Sequence, residues 1–301
     1  MSHAGNDVRR QSIRKALRRR SRFGFMIACF ALVAGLALFA ASCSDDTGGG
    51  GSAEGDIEQT LRDIATAWNN QDWDAWSAHF TENGIMADLA DVEGQSPEGL
   101  RASFMDTSLL WWTMLPNDEL IIRKIGDITV DGATATAEVE ASSREREGDA
   151  PASIIFGVRA TLLLDDGVWK IDEEKFTSPD LPDGVTTVHL DAKEFAFEFD
   201  SPLITSGNIA FEMANTGAQR HQIVIEQVPE DFDVEAALMS EDELAGTTHI
   251  GSTPPLEPGE TRDIVFTDKL PAGRYVMLCF MPDTDGTEHA LKGMWSEFTI
   301  E

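Results

Sequence analysis

Cys279, His289 and Met294 stand ten and five positions apart near the end of the chain, and His221 lies far upstream in Arg220-His221-Gln222. A thiolate favours Cu(I), an imidazole accepts either oxidation state, and a weakly held thioether tunes the potential. Together the four residues make a ligand set for one copper ion that cycles between Cu(I) and Cu(II). Zinc would accept the cysteine and both histidines but gains nothing from a methionine. Taken singly, each residue has a plainer role: a buried cysteine is a small apolar filler, Met294 is core, and His221 is a strand residue. Their joint occurrence in this order is what argues for copper. Asn215, just ahead of His221, could orient the site through hydrogen bonds behind the ligands. His189 and His249 are further imidazoles, either extra ligands for copper capture or solvated side chains.

The elements that must position these residues are short strands. From Thr186 onward the chain alternates strands and turns, with candidates at 186–192, 194–199, 207–214, 221–227, 260–266, 273–280 and 294–300, and a helical excursion over 231–244. Such a run of strands suggests a β-sandwich. The stretch 179–184, dense in Pro and Gly, reads as a boundary. Before it, Ile57, Leu61, Ile64, Ala65 and Trp68 have helical spacing, and a second helix carries Trp73, Trp76 and Phe80. Ser96-Pro97-Glu98 is a helix start. Strands at 119–130, 133–144, 153–165 and 168–176 follow, turned by Asp131-Gly132 and Asp166-Gly167. Helices followed by an antiparallel meander imply an α+β domain. His79, Asp88, Trp111 and Trp112 are its pocket candidates, where a histidine or carboxylate in apolar surroundings could serve as a general base.

Two resemblances sharpen this reading. The helices, the meander and the closing Gly167-Val168-Trp169-Lys170-Ile171 resemble the SnoaL-like branch of the nuclear transport factor 2-like fold over residues 57–178. That family's cones serve as binding modules, dimerisation units or small isomerases and cyclases. Phe211-Glu212-Met213-Ala214-Asn215-Thr216-Gly217 with Arg220-His221-Gln222, the turn Leu256-Glu257-Pro258-Gly259, and Cys279, His289 and Gly293-Met294 resemble cupredoxins over residues 185–301. The fold class this implies is multidomain: an α+β cone followed by an all-β Greek-key sandwich. The site implied is type 1 copper, with His221, Cys279 and His289 equatorial and Met294 axial. One departure stands out. Nine residues separate Cys279 from His289, whereas small cupredoxins have two to four.

Charge and address complete the expectations. The first 22 residues carry eight Lys or Arg, and an uncharged run from Phe23 to Ser42 follows. This is an export signal. Ala40-Ala41-Ser42-Cys43 resembles a bacterial lipoprotein signal, which implies lipidation of Cys43. A retained helix of twenty residues is the alternative anchor. Either places the protein on the outer face of a membrane. Residues 43–56 are a Gly-rich tether. The chain holds three cysteines; with Cys29 in the apolar run and Cys43 at its end, Cys279 is left unpaired, as befits a ligand or reactive thiol in an exported protein. Net charge is −30, falling to −37 without residues 1–42, which hold eight basic residues and one acidic. That excludes a generic nucleic-acid binder. The expected function is a type 1 copper electron carrier or copper holder with a redox or copper-exchange partner, and a homodimer through the cone. The alternatives are small-ligand or isomerase/cyclase chemistry in the cone, or a metal-free surface module.

Overall fold

Alternation along one strand decides where the candidate thiol points. In β12 (Gly273–Leu278), Tyr275 and Met277 turn to one side of their sheet and Val276 and Leu278 to the other, all fully buried. Cys279 continues the first set and Phe280 the second. A strand buried on both faces reads as a continuous apolar run, which is why Val276 to Met281 shows no polar alternation.

The computed structural model describes residues 52–70, 72–84, 118–145, 148–199, 203–240 and 244–301. Asp88, Trp111, Trp112, Cys43, the Ser96-Pro97-Glu98 helix start and the export segment lie outside the described residues. Among those described, no helix is long and apolar enough to cross a membrane.

Helix α1 (Ala53–Asn69) starts at Ser52, whose side chain accepts the Gly55 N–H at 3.2 Å. Ile57, Leu61 and Ala65, spaced by four, form its buried stripe. Asp72 caps the short α2 (Trp73–Ala78) in the same way. These helices cover an antiparallel meander of β1 (Asp118–Asp131), β2 (Thr134–Glu145), β3 (Ile154–Asp165) and β4 (Val168–Thr177). Trp76, Phe80, Leu162, Trp169 and Ile171 lie at the centre of the core between them.

β5 (Thr186–Lys193), β6 (Ala196–Phe199), β8 (Ile209–Asn215) and β11 (Thr261–Phe266) join the same sheet. The junction is β3. Its residues 157–165 pair with β4, while Ile154 and Ile155 pair with Phe266 and Val265 of β11. One eight-stranded sheet thus carries strands from both halves of the sequence, and Gly51–Glu301 is a single compact unit.

A second sheet, ordered β10-β9-β12-β13-β7, is built from β7 (Leu203–Ile204), β9 (Val224–Val228), β10 (Thr248–Ser252), β12 and β13 (Trp295–Ile300). Leu190, Phe211, Met213 and Ile264 of the first sheet share one core with Ile225, Tyr275, Met277 and Phe298 of the second. Helix α3 (Val234–Leu238) covers the far face through Val234 and Leu238 against Val276 and Leu278.

Two expectations are corrected. Glu194 does not open a strand but lies with Phe195 in the turn between β5 and β6. His221 sits ahead of β9 in an isolated bridge with Leu256, because Gly217 and its neighbours still belong to the incoming turn. β7 and β10 are added.

Candidate metal centre

Three side chains from distant parts of the sequence converge under the first turn beyond β12. Cys279 Sγ is 3.6 Å from His289 Nδ1 and 4.0 Å from His221 Nδ1, and the two Nδ1 atoms are 3.2 Å apart. All three residues are fully buried. A triangle with those sides has a centre about 2.1 Å from each corner, which is the length of metal–imidazole bonds and near that of metal–thiolate bonds. The three form the one His/Cys/carboxylate group of metal-binding spacing found among the described residues.

Backbone hydrogen bonds fix each member. His221 exchanges bonds with Leu256, N–H to O at 3.2 Å and O from N–H at 2.8 Å. Cys279 N–H donates to Met294 O, Met294 N–H to His289 O, and Ala290 N–H to Cys279 O. Met294 is fully buried in the same cluster as Cys279. It follows Gly293, whose φ of 103° is left-handed backbone that favours glycine.

The long step from Cys279 to His289 closes on itself. Pro282 bridges Glu288, Asp283 N–H donates to Thr287 O, and His289 N–H donates to Met281 O. The extra residues form a small hairpin with Asp283–Gly286 at its tip, and its base returns His289 to Cys279. An insertion that pairs with itself leaves the separation of its ends unchanged, so the ten-residue spacing does not part the ligands.

The outer ring nitrogens face side-chain oxygens. His289 Nε2 is 3.3 Å from Gln219 Oε1, and Gln219 in turn donates to Asp283 at 3.0 Å. His221 Nε2 is buried without a hydrogen bond, with Glu194 Oε1 at 3.6 Å. A proton on each Nε2 leaves both Nδ1 lone pairs turned toward the thiol, as a ligating imidazole requires. Lys292 pairs with Asp283 and Asp285 and so ties the hairpin tip to the turn after His289.

Burial dominates the electrostatics. It pushes the Cys279 thiol up to about 11, against the backbone N–H groups of Gln222 and Met281. It lowers His221 to about 4, helped by His289 and opposed by Glu194. His289 is lowered chiefly by burial too. The metal-free site therefore favours neutral imidazoles and a protonated thiol at neutral pH, and a bound cation would have to displace the thiol proton. An acid limit follows for the metal-free protein. An unfolded histidine takes up its proton near pH 6.5, whereas folded His221 resists until about 4. The stability this group confers is complete above 6.5 and lost as pH falls toward 4. Denaturant midpoints of metal-free protein between pH 7 and 4 should fall in that window, less steeply in His221→Gln. Equal slopes in the two proteins would sink the assignment.

The other sequence candidates lie elsewhere. His189, on β5, is exposed and pairs with Glu212. His249, on β10, contacts the buried Glu226 at 2.6 Å. Neither belongs to the three-residue group. Asn215 spends its side-chain hydrogen bonds on the backbone: it donates to Gln219 O and Leu256 O and accepts from Gly217 N–H, which holds the turn leading to His221. His79 caps the end of α2, with a buried Nδ1 that has no hydrogen-bond partner and a pKa lowered by burial. Sequence reading missed Glu194, Phe195 and Gln219 as members of the site. Phe195 meets the His289 ring edge-on at 5.3 Å. The Asn215-Thr216-Gly217 turn signal could have pointed to Gln219, but nothing in the sequence pairs residue 194 with 221.

No protein-family model matches the chain, and no curated protein matches it. Part of the chain is similar to solved structures of nuclear transport factor 2-like or cystatin-like fold. One is a protein of unknown function with a cystatin-like fold from Nostoc punctiforme, at 16% identity, covering 41% of this chain and 88% of that one, with TM-score 0.31. A second is a nuclear transport factor 2-like protein of unknown function from Shewanella oneidensis, at 18% identity, 41% and 97% coverage and TM-score 0.30. A third, from Novosphingobium aromaticivorans, is also described as nuclear transport factor 2-like with a cystatin-like fold, at 14% identity, 41% and 79% coverage and TM-score 0.32. The likeness is one of fold over part of the chain and extends no further.

Proposed function

We propose that the chain binds one copper ion through His221, Cys279 and His289, with Met294 as a weak fourth ligand, and works as an extracytoplasmic copper holder or one-electron carrier. The observation that supports this reading is the convergence of two Nδ1 atoms and a thiol at 3.2, 3.6 and 4.0 Å, all fully buried. A soft thiolate with two imidazoles suits copper in both oxidation states. When bound, copper supplies a one-electron couple; the protein's own contribution is a closed, rigid set of donors. With Met294 as the fourth ligand the set leaves no open position for a substrate, so a binder or carrier fits better than an enzyme. Complete burial of both imidazoles favours retention of the ion over rapid exchange.

Around that site we read a tether at Cys43 or an N-terminal helix to the outer face of a membrane, a redox partner or copper donor, and a homodimer through the cone. Adding Cu(II) to the full chain and recording its visible spectrum tests the site. One equivalent should bind with an intense thiolate-to-copper band. A colourless protein, or no metal after purification from copper-supplied cells, would instead fit a metal-free surface module.

A second reading is small-ligand binding or isomerase/cyclase-type chemistry in the cone. His79, partly buried with an unpartnered Nδ1, favours it. A small organic ligand that co-purifies with the chain and is lost in His79→Ala would support it; identical ligand content in the two proteins would count against it.

A further inference from the structure

We propose that Glu194 is a positioning residue for the metal site: its carboxylate holds the His221 ring with Nδ1 inward and sets a negative charge behind it that favours a divalent over a monovalent ion. This rests on reading His221, Cys279 and His289 as the copper site. Three independent features carry it.

The first is the orphaned nitrogen. His221 Nε2 is buried and lacks a hydrogen bond, and Glu194 Oε1 is the charged atom facing it, at 3.6 Å. A buried N–H seeks an acceptor, and a ligating histidine habitually turns its outer N–H to a carboxylate or carbonyl.

The second is the clamp on Glu194 itself. Its Oε1 accepts the N–H groups of Ala218 at 2.6 Å and Gln219 at 2.7 Å. These belong to the turn that delivers His221, so carboxylate and imidazole are registered to one piece of backbone. The neighbouring Phe195 has a φ of 62°, rare for a bulky residue. That turn sends Glu194 behind His221 and Phe195 against the edge of His289. Backbone strain at such a position persists where the surroundings over-determine it.

The third is Gly217. A Cβ there would lie 2.7 and 2.9 Å from the two carboxylate oxygens of Glu194 and 2.9 Å from His221 Nε2. Its φ is not left-handed, so the glycine serves close approach rather than a turn conformation. Bare backbone at 217 is what lets the carboxylate and the ring come together.

Charge then indicates a preference. A buried Cys279 thiolate and the Glu194 carboxylate, whose side chain is 31% exposed, together balance a divalent cation, while a monovalent one leaves a net negative charge at the site. The nearby ammonium, Lys292, is already paired with Asp283 and Asp285. Glu194 therefore lowers the reduction potential.

Glu194→Gln keeps an acceptor oxygen for both backbone N–H groups and removes the charge. The full chain loaded with copper is poised against redox buffers, and melting of the metal-free protein checks that the variant folds. We expect the Cu(II)-over-Cu(I) preference to fall roughly tenfold, an upward shift of about 59 mV for one electron. In metal-free wild-type protein, 15N NMR should find the His221 proton on Nε2. An unchanged preference in Glu194→Gln, or a proton on Nδ1 in the wild type, would overturn the role of Glu194 while leaving copper binding intact. A wild-type chain that takes up no copper would overturn the reading on which the role depends.

Discussion

Cys279→Ala is expected to abolish the thiolate-to-copper absorption and weaken copper binding by more than about 100-fold, since losing even the partners behind the ligands typically costs 10–100-fold. The thiolate is the one soft anionic donor in the site, and the two imidazoles that remain are neutral. The same change should barely disturb the metal-free fold. Cys279 packs as a small apolar side chain among Met277, Met294 and their neighbours, and removing its sulfur costs about 1 kcal/mol as a small cavity. Metal-free wild type and variant should therefore melt within a few degrees of each other, and only the wild type should be stabilised by added copper. Equal stabilisation of both proteins would show that the ion binds elsewhere. Zinc, which tolerates the same three donors, should bind without colour and compete for the site. Met294→Leu separates the metals further: it should alter the copper spectrum and potential while leaving zinc binding nearly unchanged.

The largest effect on stability is expected at Phe211. It lies on β8 with no exposed surface, and its ring meets Phe199, Phe266 and Phe298 edge-on at centroid distances of 6.4, 6.2 and 5.4 Å. Phe298 belongs to the opposite sheet, so this one ring joins the two layers. Phe211→Ala removes the transfer energy of a large side chain and leaves a cavity walled by rings anchored on different strands, which cannot collapse freely. A loss of about 3–5 kcal/mol follows, or roughly 10 °C in melting temperature for a unit of this size. Leu164→Ala, on the exposed end of β3, is the control and should cost well under 1 kcal/mol. A Phe211→Ala variant that melts like the control would mean that the two sheets do not share this core.

Both outcomes bear on how much could be read before any fold was seen. The strand run Val276–Phe280 was legible because apolar residues at consecutive positions mark burial on both faces. Helix α1 was legible from its four-residue spacing, but its Ser52 cap and first turn were not: residues 52–56 read as the end of the Gly-rich tether, whereas the helix begins at Ala53. The first-half meander was legible from its Asp-Gly turns, to within a residue or two at most ends. β7 and β10 were not, because two to five residues of mixed polarity carry too little pattern to separate a strand from a loop. The pairing of β3 with β11 was invisible for a different reason. It joins residues 154–155 to 265–266, and nothing local in either segment encodes its partner.

The site divides along the same line. By itself the sequence determined the residue types of the cluster and their order along the chain, because these depend on residue identity alone; with both faces of its strand apolar, the side to which Cys279 points was left to the structure. Tertiary structure alone decided that the nine residues after Cys279 fold into a hairpin and return His289 to 3.6 Å from the thiol. It also decided that both imidazoles are buried and that Glu194 stands behind His221 across a gap only a glycine leaves open. Those facts turn on which backbones approach which. The contacts responsible lie between residues tens of positions apart, where spacing along the chain sets no distance in space.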